Sequence, residues 1–162
     1  MITASRLKEL IEYCPNTGLM IWKKDNSNPN RIKAGSFVGT VTKKGYVNVQ
    51  IDKKMYKAHR LAWLYVYGEM PSKQIDHING VRSDNRISNL REANNLQNSH
   101  NRRKPNNVST TGFLGVVKKK DRFQSRINVN GKRFHLGCFD TAEEAYAAYV
   151  SAKRIYHEFC TI

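Results

Sequence analysis

The dipeptide Asn130-Gly131 sits between two runs in which apolar and polar residues alternate, and no other stretch constrains the fold of this chain as tightly. Ahead of it Phe123, Ser125, Ile127 and Val129 alternate with Gln124, Arg126, Asn128 and Asn130. Behind it Phe134 and Leu136 fall on one face, Arg133 and His135 on the other. A period of two means half-buried strands, and Asn-Gly supplies the two positive φ angles that a tight hairpin turn needs. Asp140-Thr141 then opens a helix, with Thr141 and Glu144 spaced as a capping box and Ala145, Ala148, Tyr149, Ala152 and Ile155 on one face. Residues 112–162 are therefore predicted to form a three-stranded antiparallel sheet with its apolar face on one helix. The opposite face carries Arg126, Arg133 and His135, with Lys118, Lys119 and Lys120 nearby.

The rest of the chain is built from equally short pieces. Thr3 to Tyr13 has the spacing of an amphipathic helix, Pro15-Asn16-Thr17-Gly18 is a turn, and Leu19 to Trp22 a short strand. Residues 25–33 read as a polar loop. From Gly35 to Ala58 the pattern is β, with Val47, Val49 and Ile51 on one face and turns at Lys44-Gly45 and Asp52-Lys53. His59 to Tyr67 is a helix that Gly68 can end. Strand signals follow at Ile75–Ile78 and Ile87–Arg91, then a helix from Ala93 to about Arg102. The expected class is α+β: a β-rich region over 1–57, a central core over 58–104, a basic and polar linker over 105–111, and the C-terminal sheet and helix over 112–162.

Composition narrows the partners. Lys and Arg number 28 against 13 Asp and Glu, a net charge of +15, so a polyanion is the expected ligand. No apolar run is long enough to cross a membrane, and Met1 to Glu12 mixes charges into its apolar pattern, so no signal peptide is visible and an intracellular location is expected. Cys14, Cys138 and Cys160 are odd in number and scattered, which suggests reduced thiols and not a disulfide frame or zinc knuckle. Without secretion, Asn107-Val108-Ser109 matches a glycosylation pattern by chance.

The chemistry concentrates in the stretch from Gln74 to Asn98. Asp76 stands beside His77 at the end of a short apolar run, with an asparagine-rich loop after it, Asn89 before Leu90, and Asn98 in the helical segment. A carboxylate oxygen and an amide oxygen suit a magnesium ion that keeps waters and binds phosphate. An imidazole alongside can take a proton from water near neutral pH. Together they make a minimal kit for hydrolysing a phosphodiester. Asp76 and Asn98 meet only if their elements pack together. His59 is read as a structural histidine opening an apolar helix, with a ligand role as the alternative; His100 is a rival to Asn98, on a different helix face. Arg82, Arg86 and Arg91 are phosphate holders or solvated charges. The basic run Arg102, Arg103 and Lys104 can track a nucleic-acid backbone.

The segment Ala58 to Arg103 resembles the His-Asn-His (HNH) nucleases, particularly the ββα-metal homing endonucleases of phages and introns. The resemblance implies Asp76 and Asn98 as metal ligands, His77 as general base, and Asn89 as the residue that ties the loop and orients the base; Asn98 stands where many relatives have histidine. Residues 113–157 resemble the plant Apetala-type, or ethylene-response-factor, DNA-binding domain. That likeness rests on Gly115-Val116, Phe123, Ile127, Arg133, Leu136-Gly137, Phe139 and the Ala-Tyr helix; Val117, Phe123 and His135 depart from it. Taken together, they imply a DNA endonuclease dependent on Mg2+ or Mn2+, acting on double-stranded DNA as a monomer or weak dimer. Two alternatives stay open: a DNA-binding regulator with a silent nuclease fold, and a basic protein bound to structured RNA.

Overall fold

The computed structural model describes residues 1–25, 32–105 and 109–162. Most of the loop expected over 25–33, the centre of the segment 101–111 and the Asn107-Val108-Ser109 pattern lie outside the described residues. The class is α+β, with small sheets and four α-helices among the described residues. The chain divides into two compact units, Met1–Asn94 and Asn95–Ile162.

In the first unit, α1 spans Ala4–Leu10, and the Thr3 hydroxyl accepts from the Arg6 N–H at 3.2 Å. The helix stops before Tyr13, where the sequence pattern had carried it. Ile11 and Tyr13 are both buried with Glu12 exposed between them, a period of two that the core uses as strand β1 (Ile11–Tyr13). β1 pairs with β2 (Met20–Trp22). β3 (Thr40–Val41), β4 (Val47–Ile51) and β5 (Lys54–Lys57) form the expected small sheet in that order. Asp52 and Lys53 take positive φ in the β4–β5 turn. Helix α2 (Ala58–Tyr67) ends at Gly68, which is left-handed. Leu61 and Leu64 of α2 join Leu7, Ile11, Val49, Ile75 and Leu90 in one core.

β6 (Gln74–His77) and β7 (Leu90–Ala93) are antiparallel and complete this unit. β7 begins later than the expected Ile87, because Ile87–Asn89 forms a single 3-10 turn whose Asn89 side chain bonds the preceding loop. The register places Asp76 opposite Arg91 and His77 opposite Leu90.

The second unit opens with α3, Asn95–His100, shorter than the helix expected from Ala93, since Ala93 is still paired in β7 with Gln74. β8 (Val116–Lys119), β9 (Arg122–Val129) and β10 (Lys132–Phe139) form a three-stranded antiparallel sheet with β9 central. Asn130 and Gly131 both take positive φ in the hairpin. A bulge falls between His135 and Gly137, and Cys138 is then opposite Gln124. Ile127 packs with Leu114 and with Tyr149 and Ala152 of α4 (Ala142–Tyr156). The capping box of Thr141 and Glu144 is formed in both directions. Among the described residues no helix is long and apolar enough to cross a membrane, and the three cysteines are free thiols.

Candidate functional site

Asp76 and His77 end β6, whose antiparallel partner β7 starts at Leu90. Ile75, Asp76 and His77 are all buried, Asp76 to 8% and His77 to 4% exposure. Residues directly opposite in an antiparallel pair share a face. Arg91 uses this, donating to Asp76 Oδ2 from Nε at 3.0 Å and from an η nitrogen at 2.9 Å. A buried carboxylate without such a partner would cost several kcal/mol (~3–5).

The loop from Asn79 to Arg86 is cross-braced by its own polar side chains. Asn89 Oδ1 accepts from the Asn79 N–H at 2.9 Å, and Asn89 Nδ2 donates to the Asp84 carbonyl at 2.8 Å. Asn79 Nδ2 donates to Asp84 Oδ2 at 2.7 Å, and Arg86 grips the same oxygen at 2.6 Å. The Arg86 guanidinium pulls the Asp84 carboxyl down to about 2. Arg86 and Arg91 are thus committed to ion pairs within the unit, and the Arg82 guanidinium lies 4.8 Å from the Tyr46 ring centre.

His77 is held by this loop through a residue the sequence did not single out. Asn85 Oδ1 lies 3.3 Å from His77 Nε2, while Asn85 Nδ2 donates to the Ser83 carbonyl at 3.2 Å. That second bond orients the amide, and an amide oxygen only accepts. In that orientation the amide oxygen faces Nε2, an arrangement that suits the Nε2–H tautomer. Burial pushes the His77 imidazole below its usual value, opposed by the Asn85 bond and the Asp76 charge. A neutral imidazole is the form a general base needs.

His59 joins the same group. Its ring meets that of His77 edge to face, centres 5.0 Å apart, and Tyr46 lies 5.6 Å from His59 and 6.2 Å from His77. His59 is 7% exposed, its Nδ1 has no hydrogen-bond partner among the described residues, and burial drives its pKa down to about 3. The spacing from 59 to 77 carries no signal of this contact. Asn85 could have been suspected from the asparagine-rich loop alone.

The other expected site residues lie in the second unit. Asn98 is on α3. His100 is buried and stacks on His157, ring centres 4.2 Å apart. Arg102 gives its carbonyl to the buried Lys153 ammonium, and Arg103 donates to the Thr161 hydroxyl at 2.5 Å. Lys118 and Lys119 lie on β8, Lys120 in the turn after it with φ of 54°, and Lys104 follows Arg103 on an exposed segment. Arg126 is opposite His135, and Arg133 opposite Asn128, so these four share a face. Gln124 Nε2 lies 2.9 Å from His135 Nδ1 on that face.

Asp76 offers a hard carboxylate donor of the kind a divalent cation takes, but its Oδ2 is held by the Arg91 guanidinium, and the amide ligand expected of Asn98 lies on α3. No group of three or more His, Cys, Asp or Glu side chains among the described residues is arranged to hold a metal. A cation here would therefore complete its shell with water and phosphate oxygens.

Residues 56–100 match the family model described as HNH endonuclease. The matched segment runs from β5 to α3 and includes His59, Asp76, His77, Asn85, Asn89 and Asn98. It supports the HNH resemblance of the central segment, and it gives no support to a phage origin or to the Apetala-type likeness of residues 113–157. No curated protein and no solved structure matches the chain.

Proposed function

We propose that this protein is a metal-dependent endonuclease of homing type that hydrolyses phosphodiester bonds in double-stranded DNA. The observation that carries the reading is that the HNH-matched segment holds His77 buried beside Asp76, with Asn85 Oδ1 facing its Nε2. In this reading His77 Nδ1 accepts a proton from the attacking water. Asp76 supplies the carboxylate oxygen for Mg2+ or Mn2+, and Asn98 is the amide ligand expected from the HNH resemblance. When bound, such an ion supplies positive charge to the phosphate and to the departing oxygen. Asn89 keeps the 79–89 loop closed, so that Asn85 stays against His77. Lys118, Lys119, Lys120, Arg126, Arg133, His135, Arg102, Arg103 and Lys104 supply the contacts to DNA, a role supported by the net charge.

A second reading is a DNA-binding regulator with a silent nuclease site. The Arg91 grip on Asp76 favours it, because a guanidinium already occupies the oxygen that an ion would use. Nicking of a supercoiled plasmid in Mg2+ separates the two. The endonuclease reading expects cutting by the native chain, none by Asp76→Ala or His77→Ala, and retained DNA binding in both variants. A native chain that binds the plasmid and never nicks it establishes the regulator.

A further inference from the structure

The second unit contains a cleft of about 480 Å³ at the end of its sheet, bordered by α4. Arg102, Arg126 and Arg133 line it together with Phe113, Tyr149 and His157, and no aspartate or glutamate is among its lining residues. Gly115 makes the cleft possible. Its φ is +72°, and a Cβ there would meet the Tyr149 ring at 2.0 Å, so only glycine lets the 113–115 segment close on α4 at this point.

Arg126 and Arg133 bring two cationic side chains to one concave site, a place for an anion. Among the described residues Arg126 and Arg133 form no ion pair; Arg133 donates from Nε to Asn128 Oδ1 at 3.3 Å. His157 gives a second, independent sign. It is 8% exposed; its Nε2 lies 2.9 Å from the Asn128 carbonyl, and Nδ1 is buried with no partner among the described residues. A buried ring nitrogen left without a partner beside such a cleft is a place for a ligand atom. The Phe113 ring, 4.9 Å from that of Tyr146, gives the wall an aromatic surface.

The cleft takes Arg126, Asn128 and Arg133 from the exposed sheet face and adds the Phe113 and Tyr149 rings beside them. Its volume falls in the range of small-ligand sites, ~300–1,000 Å³, and is far too small for a duplex. We infer that the cleft takes one nucleotide of an unpaired nucleic-acid strand, its phosphate on the Arg126 and Arg133 guanidiniums and its base against Phe113. This rests on the DNA-binding reading above for the kind of strand, but not on the nuclease chemistry.

The test uses the full chain, 15N-labelled, in a chelator so that no cutting occurs. It is titrated with a short single-stranded oligodeoxynucleotide, with a mononucleotide and with inorganic phosphate. The strand is expected to saturate shifts at the Phe113, Gly115 and Asn128 amides, the mononucleotide to do so more weakly and phosphate more weakly still. Arg126→Gln with Arg133→Gln is expected to lower strand affinity about tenfold and to flatten its log–log salt dependence by ~0.7, the share of one phosphate contact on a single strand. Arg133→Gln alone, at an exposed position, is the variant to use if the pair fails to fold, with about half that change in slope. Shifts confined to Gln124, His135 and Lys119 would overturn the cleft assignment, as would unchanged salt dependence. Tighter saturation by the mononucleotide would show a free-nucleotide site and overturn the strand. Cutting in Mg2+, read separately, reports on the proposed nuclease site and not on the cleft.

Discussion

His59 and His77 are two imidazoles buried edge to face, and both have their pKa lowered mainly by burial. For His59 the value falls from 6.5 to about 3. Between those limits the unfolded chain binds a proton that the native chain refuses, so stability is complete above pH 6.5 and declines as pH falls toward 3. Each such histidine contributes up to ~1.4 kcal/mol per pH unit across its window. His59→Phe keeps a ring against His77 and removes one titration. Urea unfolding at pH 7 and pH 5 is expected to show a smaller loss of stability in the variant; equal losses would mean that His59 is protonated in the native state. Asn85 invites a separate prediction. Asn85→Ala removes the acceptor that holds Nε2–H, and turnover is expected to fall on the order of 10²-fold with DNA affinity in chelator unchanged. Single-turnover cutting beside a binding isotherm measures both. The Asp-His pair was legible because it is contiguous. His59 stood out only as a histidine opening an apolar helix and Asn85 only as part of an asparagine-rich loop, because what makes them matter is a distance, which sequence spacing does not encode.

Short elements were legible wherever a turn residue or a strict period marked them. The Asn130-Gly131 hairpin, the Asp52-Lys53 turn, the Gly68 helix stop and the Thr141 capping box all formed as their local chemistry requires. The misread boundaries share one cause. At Ile11, Ile87 and Ala93 a helical or strand pattern was overridden by pairing with a distant strand or by a side chain bonding a loop. Gly18 shows how such distant contacts reach the site. Its φ is +76°, and an added Cβ would meet the Arg86 nitrogen at 2.5 Å and the Asn85 carbonyl carbon at 2.6 Å. The Tyr13 hydroxyl also donates to the Asn85 carbonyl at 2.7 Å, and the Ile87 N–H donates to the Pro15 carbonyl at 3.1 Å. The N-terminal hairpin is thus a backstop for the loop that holds His77. Both neighbours of a new Cβ are backbone and cannot swing aside, so Gly18→Ala is expected to cost about 2–3 kcal/mol. Thermal unfolding should register this as a lower Tm. An unchanged Tm would mean that the loop accommodates the methyl, and the hairpin would lose its supporting role.

A net charge of +15 on 162 residues sets how the whole chain meets DNA, and it is the one property that composition alone delivers. Affinity from phosphate contacts falls with salt because each contact releases a counterion, with a slope of about −0.9 per contact on duplex DNA. If the basic positions of the second unit carry the contacts, replacing Lys118, Lys119 and Lys120 together by glutamine should flatten that slope by ~2–3 and weaken binding by a similar factor for any sequence. Lys118 and Lys119 are exposed on β8 and Lys120 on the turn beside it, so the fold does not depend on them. Asp76→Ala should leave the slope unaltered, since it removes no contact cation. Fluorescence anisotropy of one labelled duplex over a salt series measures all of these variants side by side. A slope that survives the triple lysine change would move the contacts off β8 and its turn, to Arg102, Arg103 and Lys104 or to the first unit. A slope that changes with Asp76→Ala would instead tie DNA binding to the charge of the candidate metal site.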